Sequence, residues 1–191
     1  MAVEIIYETH SITTDNENGF ATGWLPGQLS DVGRKLAQEL GQRRRADGIA
    51  TVFTSDLARA VETAEIAFAG TGIPIRQDPR LRECNYGTFN GMPVSELARI
   101  RSQHIHQPFP EGQSYQDVVD QTRDFLTEVA RDWDGKKVLL IAHSANRWAL
   151  AHLLTGVPLE DQVDAPFAWR EGWHYTLPTS WTGMDSCSRN D

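Results

Sequence analysis

The 191-residue sequence predicts an α/β protein, a three-layer sandwich with a mostly parallel central sheet and helices on both faces. Three observations predict it. Short apolar runs alternate along the chain with amphipathic stretches of helical period. One run, Val138-Leu139-Leu140-Ile141-Ala142, is apolar throughout, as befits a strand covered on both faces. The composition, 40% hydrophobic and 23% charged, is ordinary globular usage and excludes collagen-like, low-complexity and wholly disordered chains.

Taken in order, Glu4-Ile5-Ile6-Tyr7 forms the first strand, and after a Gly- and Pro-punctuated loop Ser30 caps a helix with Val32, Leu36 and Leu40 on its inner face. Thr51-Val52-Phe53-Thr54 is the second strand, followed by Ser55-Asp56 as cap material and by Leu57, Val61, Ala64 and Phe68 at helical spacing. A short strand is expected around Ile75, and a short helix over Val94 to Ile100 within a Gly87 to Gly112 segment that reads as a lid or specificity region. Ser114 and Asp117 resemble a capping box that opens a longer helix through Val118, Thr122, Phe125, Val129 and Trp133. Asp134-Gly135 ends it, and a helix from about Ser144 to Leu154 follows the apolar strand. Residues 1–184 are expected to form one domain and 185–191 a flexible tail.

Eighteen Lys and Arg against 26 Asp and Glu give a net charge of −8, the wrong sign for duplex nucleic acid or an anionic membrane. An anionic ligand therefore needs a local basic pocket. Cys84 and Cys187 stand far apart with no metal-ligand spacing, and the start carries no basic-then-apolar segment, so a cytoplasmic, reducing location is expected. No stretch reaches the roughly 18 apolar residues of a membrane span. Gln103-His104-Ile105-His106 has the spacing of some metal sites but reads as a solvated loop, and the aromatic cluster of Trp169, Trp173, Tyr175 and Trp181 as packing of a final edge strand.

Open parallel sheets bind ligands at the carboxyl ends of their strands. That rule selects His10 after the first strand, Ser55, Asp56 and Arg59 after the second, and His143 after the apolar one, with Glu83 in a connection able to return to the same rim. Two imidazoles, a guanidinium and a carboxyl suit phosphoryl transfer through a phosphohistidine, for which no metal or other cofactor is needed.

Position by position the blocks resemble the histidine phosphatase superfamily, which includes phosphoglycerate mutase-like enzymes. Ser55-Asp56-Leu57-Ala58-Arg59-Ala60 with Thr63 is similar to the family's Ser-Asp-Leu-x-Arg-Ala block, Leu81-Arg82-Glu83 with Tyr86-Gly87 and Asn90-Gly91 to the segment carrying its acid, and Ala142-His143-Ser144 to its Ser-His-Gly. Where the family opens with Arg-His-Gly and an Asn six residues beyond the His, this chain has Thr9-His10-Ser11 and Asn16. The resemblance implies a phosphoglycerate mutase-like fold and hydrolysis of a small phosphorylated substrate. In that scheme His10 is nucleophile, Glu83 general acid and then base, and His143, Arg59 and Asn16 are phosphoryl ligands. The rate would then be bell-shaped in pH. Thr9 removes a charge, worth about 1.5 to 3 kcal/mol in a charge-assisted contact. Ser11 and Ser144 add hydroxyls where the family has glycine, and each could donate to the phosphoryl group. Arg147, one turn past His143, is expected to restore the missing charge. The rivals are a mutase, a phosphoester-binding domain of weak or no activity, and a serine hydrolase, which lacks its G-x-S-x-G elbow.

Overall fold

The computed structural model describes residues 1–166 and 168–183; the predicted tail, and Cys187 within it, lie outside the described residues. Its elements are β1 (Ala2–Thr9), α1 (Thr14–Glu17), α2 (Asp31–Arg44), β2 (Thr51–Thr54), α3 (Ala58–Phe68), β3 (Ile75–Gln77), α4 (Val94–Ile100), α5 (Tyr115–Asp132), β4 (Lys137–Ala142), α6 (Ser144–Thr155), α7 (Leu159–Asp164) and β5 (Trp173–Pro178). One five-stranded sheet runs β3-β2-β4-β1-β5, parallel except for the edge strand β5. The predicted three-layer α/β architecture is therefore the observed one.

Alternation along the strands builds the two cores. Ile5 and Tyr7 on β1 and Val138 and Leu140 on β4 join the larger core under α5 and α6. Ile6, Leu139 and Ile141, on the opposite face, join Val52, Ala64 and Ala67 in the smaller core under α2 and α3. A strand buried on both sides leaves no position for a polar residue, which is why β4 is apolar in every residue after Lys137.

The helix starts follow local chemistry. Ser30 Oγ accepts from Gly33 N at 3.1 Å to cap α2, and Ser114 with Asp117 closes a full capping box on α5. Gly156, at φ 71°, ends α6 in the left-handed conformation. The predicted apolar face of α2 is corrected in part: Leu40 is buried, but Val32 is exposed, and the other buried residues are Gly33, Ala37, Gly41 and Arg44. Close backbone approach decides this, because a Cβ on Gly33 would stand 1.9 Å from the carbonyl oxygen of Ile12, and one on Gly41 would stand 2.1 Å from that of Ala67. Ser55 and Asp56 likewise lie outside α3, whose N-cap is Leu57.

Candidate active site

Sheet register creates the site. Thr9 pairs with Ala142 across β1 and β4, so the next residue of each chain segment, His10 and His143, leaves neighbouring strands side by side. Their ring centroids lie 5.0 Å apart. On the other side of β4, Thr54 pairs with Ile141, which sets Ser55 beside His143, with Ser55 Oγ 2.7 Å from His143 Nε2.

Each imidazole is held. His10 Nδ1 stands 2.7 Å from the carbonyl oxygen of Ser11, an acceptor only, so Nδ1 carries the proton and Nε2 keeps its lone pair. Burial and the Arg59 charge push the His10 pKa down to about 3, which makes it a neutral nitrogen base. The same causes, with His10 itself, hold His143 well below the usual imidazole range. The backbone of His143 is fixed from two sides: Tyr7 Oη donates to its carbonyl, and its N–H donates to Asn146 Oδ1 at 3.1 Å. Asn146, fully buried, in turn donates to the carbonyl of Arg82 at 3.1 Å.

Arg59 is 2% exposed and donates through Nη2 to the Gly23 carbonyl at 2.7 Å, while its Nη1 has no partner among the described residues. The carboxylates nearest in sequence are engaged elsewhere, Glu62 with Arg34 and Asp56 with Arg82. Arg59 is thus a buried cation that forms no ion pair among the described residues, although the Glu83 and Asp15 charges act on it from farther off. The Asp56–Arg82 pair is two-pronged at 2.6 and 2.5 Å and ties the segment after β2 to the segment carrying Glu83, so Arg82 belongs to Asp56 and not to its neighbour.

Glu83 Oε1 accepts from Cys84 N at 2.9 Å and from Ala145 N, in the first turn of α6, at 3.3 Å. Desolvation nevertheless dominates and raises the Glu83 pKa; those backbone donors and Arg59 offset it in part. A carboxyl kept protonated beyond its ordinary range beside two neutral imidazoles is an acid paired with a base.

These groups open into one cavity of about 620 Å³, lined by Thr9, His10, Ser11, Asn16, Arg59, Glu83, His143 and Ser144 among others. Eight of the nine candidate residues therefore converge. Asn16 sits at the rim with its Oδ1 accepting from Thr13 N at 3.0 Å, and Ser11 N donates to Thr63 Oγ1 at 3.0 Å. Arg147 is the exception: its guanidinium lies 5.2 Å from the Trp173 ring and reaches Gln162 at 3.4 Å, away from the cavity wall. The helical turn that carries His143 into the site carries Arg147 toward β5. The expected basic pocket is also narrower than the sequence suggests, since the walls carry Arg43 and Arg101 besides Arg59 but also Glu8, Glu39, Glu83 and Glu171.

Sequence reasoning missed the upper wall, where Phe20, Tyr86, Tyr115 and Trp148 supply aromatic surface and Trp169 stands 59% exposed at the mouth. Tyr86 beside Gly87 was the available signal; the others are isolated aromatics whose placement depends on helix packing. His104 stacks on Phe109 at 3.9 Å, and His106 faces Glu160. No group of three metal-ligating side chains occurs among the described residues, nor does any helix there have the length and apolarity to cross a membrane.

The sequence profile of the histidine phosphatase superfamily (branch 1) matches residues 9–168. A protein of Yersinia enterocolitica named probable phosphoglycerate mutase GpmB is 30% identical over 164 residues, 82% of this chain and 76% of that protein. Among solved structures, Bacillus stearothermophilus YhfR aligns with a TM-score of 0.77 at 28% identity, covering 88% of both chains. A mycobacterial glucosyl-3-phosphoglycerate phosphatase, solved with VO3, aligns with a TM-score of 0.74 at 26% identity over 85% of this chain and 87% of that one. With the two histidines, the buried arginine and the desolvated glutamate in one cavity, and the profile spanning most of its length, the chain belongs to the histidine phosphatase superfamily (branch 1).

Proposed function

We propose that the chain hydrolyses phosphomonoesters without a metal, through a phosphohistidine on His10. The observation that carries this reading is the juxtaposition of two neutral imidazoles at 5.0 Å with a buried Arg59 that forms no ion pair among the described residues and a Glu83 of raised pKa. The Nε2 lone pair of His10 attacks phosphorus, the bond to the leaving oxygen breaks, and Glu83 gives that oxygen its proton. Arg59 and His143 hold the phosphoryl oxygens as charge shifts onto them. In the second half a water attacks the phosphohistidine, Glu83 takes its proton, and inorganic phosphate and neutral His10 are regenerated. The aromatic upper wall of Phe20, Tyr86, Tyr115 and Trp148 favours a small substrate whose alcohol half is apolar.

Turnover of a generic aryl phosphate in the presence of chelator, beside acid-quenched trapping of labelled phosphate on the protein, tests this. Both signals are expected in the wild type and lost in His10→Ala. Absence of both in the wild type across pH ~4 to 8 would make the protein a phosphoester-binding domain, with Thr9 as the reason.

The name of the Yersinia relative favours a second reading, in which the same phosphoenzyme returns its phosphoryl group to another hydroxyl. Partitioning of label between water and an added phosphoglycerate separates the two.

A further inference from the structure

We infer that Ser55 is a positioning residue that fixes His143 as the Nδ1–H tautomer, so that His143 serves as a donor to the phosphoryl group while His10 alone serves as nucleophile. This rests on the proposed phosphohistidine reaction. The sequence places Ser55 at the strand-end rim and as helix-cap material; its side chain lies between α3 and the second imidazole.

The argument is a count of hydrogens. Ser55 is fully buried, and its hydroxyl has two contacts: Oγ accepts from Leu57 N at 3.3 Å and stands 2.7 Å from His143 Nε2. A hydroxyl has one hydrogen to give. If Nε2 were protonated, Oγ would accept twice and its own hydrogen would have no acceptor among the described residues, in a place water does not reach. If Nε2 is bare, the hydroxyl donates to it and every group of the Leu57, Ser55 and His143 chain is satisfied. Leaving a buried hydroxyl unsatisfied disfavours the first arrangement on the order of tenfold or more. The proton of neutral His143 therefore sits on Nδ1.

His143 Nδ1 is itself buried with no partner among the described residues, as is Arg59 Nη1, and both residues line the cavity beside His10. Two buried donors without acceptors in one wall are what an incoming oxyanion would satisfy. The opposite tautomer would aim the Nδ1 lone pair at that oxyanion. The two histidines thus hold complementary states for separate reasons: His10 donates its Nδ1–H to the Ser11 carbonyl and bares Nε2, whereas His143 accepts a hydrogen bond from the Ser55 hydroxyl at Nε2 and presents Nδ1–H.

The test is two-bond 15N–1H correlation NMR of the full chain labelled at its imidazoles, at neutral pH, with the His143 signal assigned by its loss in His143→Gln. Wild-type His143 is expected as the neutral Nδ1–H form. A neutral Nε2–H form, or an imidazolium, overturns the inference without any variant having to fold. In Ser55→Ala the Nε2–H form is expected to appear, with kcat down about ten- to hundredfold and KM changed less. Ser55→Thr, which keeps a hydroxyl, is expected to recover the Nδ1–H signal and part of the rate. A Ser55→Ala protein that is less stable but keeps the wild-type tautomer would reduce Ser55 to a packing role and overturn the assignment. The Nδ1–H form in a wild type without turnover leaves this inference standing and ends the hydrolase reading; turnover with an Nε2–H wild type does the reverse.

Discussion

A guanidinium removed from water without an ion pair is costly, and Arg59 forms none among the described residues, so an anion that reaches it recovers part of the desolvation cost. Arg147 is a contrasting case. It is half-buried against Trp173 and within reach of Gln162, so its charge is used to pack β5 against α6. Arg147→Ala is therefore expected to leave kcat and KM within about twofold while lowering stability by roughly 0.5 to 1 kcal/mol, the worth of an accessible cation–π contact. Steady-state kinetics and a thermal melt check both halves, and a strong loss of turnover would return Arg147 to the phosphoryl site. With Arg147 elsewhere and Thr9 in place of an arginine, Arg59 is the cation whose charge acts on both histidines. In the proposed reaction the neutral donors of Ser11, Ser144 and His143 have correspondingly more to do.

At the scale of elements, the site depends on how closely α2 can approach the loop after His10. Gly33 lets the helix backbone lie against the Ile12 carbonyl, where even a methyl group would be 1.9 Å from the oxygen. Ser30 N also donates to that carbonyl at 3.1 Å, so the first turn of α2 and the loop following His10 form one unit. Gly33→Ala must push α2 outward or displace Ile12. A loss of about 1 to 3 kcal/mol from overpacking is expected, with a fall in kcat greater than that of a control such as Gln38→Ala, at an exposed position of the same helix. Denaturant unfolding and turnover of the two variants side by side decide it; equal behaviour would show that this packing does not support the site.

For the whole molecule, the pKa shifts set opposing pH dependences. The folded state binds the Glu83 proton more tightly than the unfolded chain does. That contribution to stability is complete below the ordinary carboxylate value and is lost as pH rises through the raised one. His10 and His143 act the other way. Their depressed values give a contribution present above the ordinary imidazole value of 6.5 and lost as pH falls, for His10 down to about 3. Near neutrality Glu83 is a liability to the fold, so Glu83→Gln is expected to raise the melting temperature at pH 7 while lowering kcat by about 10²- to 10⁴-fold. Catalysis has its own window. The proposed reaction needs neutral His10 and protonated Glu83, so kcat/KM is expected to fall on the alkaline side at a value above the ordinary carboxylate range, with no acid limb from His10 near 6.5. A pH profile at constant ionic strength tests this, and an alkaline limb at an ordinary carboxylate value would remove Glu83 from the acid role.

The sequence by itself determined the layer order and the strands, because apolar runs, period and capping residues are local and each is read within a few residues. It also determined which residue types meet at the strand ends, since β1, β2 and β4 all deliver their next residues to one rim. Only the tertiary structure decided the rest. Whether Arg147 faces the phosphoryl site or β5 turns on the rotation of α6, which Asn146 and Tyr7 fix through contacts 64 and 136 residues away. The inner face of α2 is set by backbone proximity, which no hydrophobic pattern records, and the partner of Ser55 lies 88 residues beyond it. Local propensity is written residue by residue; the direction of a side chain across a packed interface is the joint result of every element that touches it.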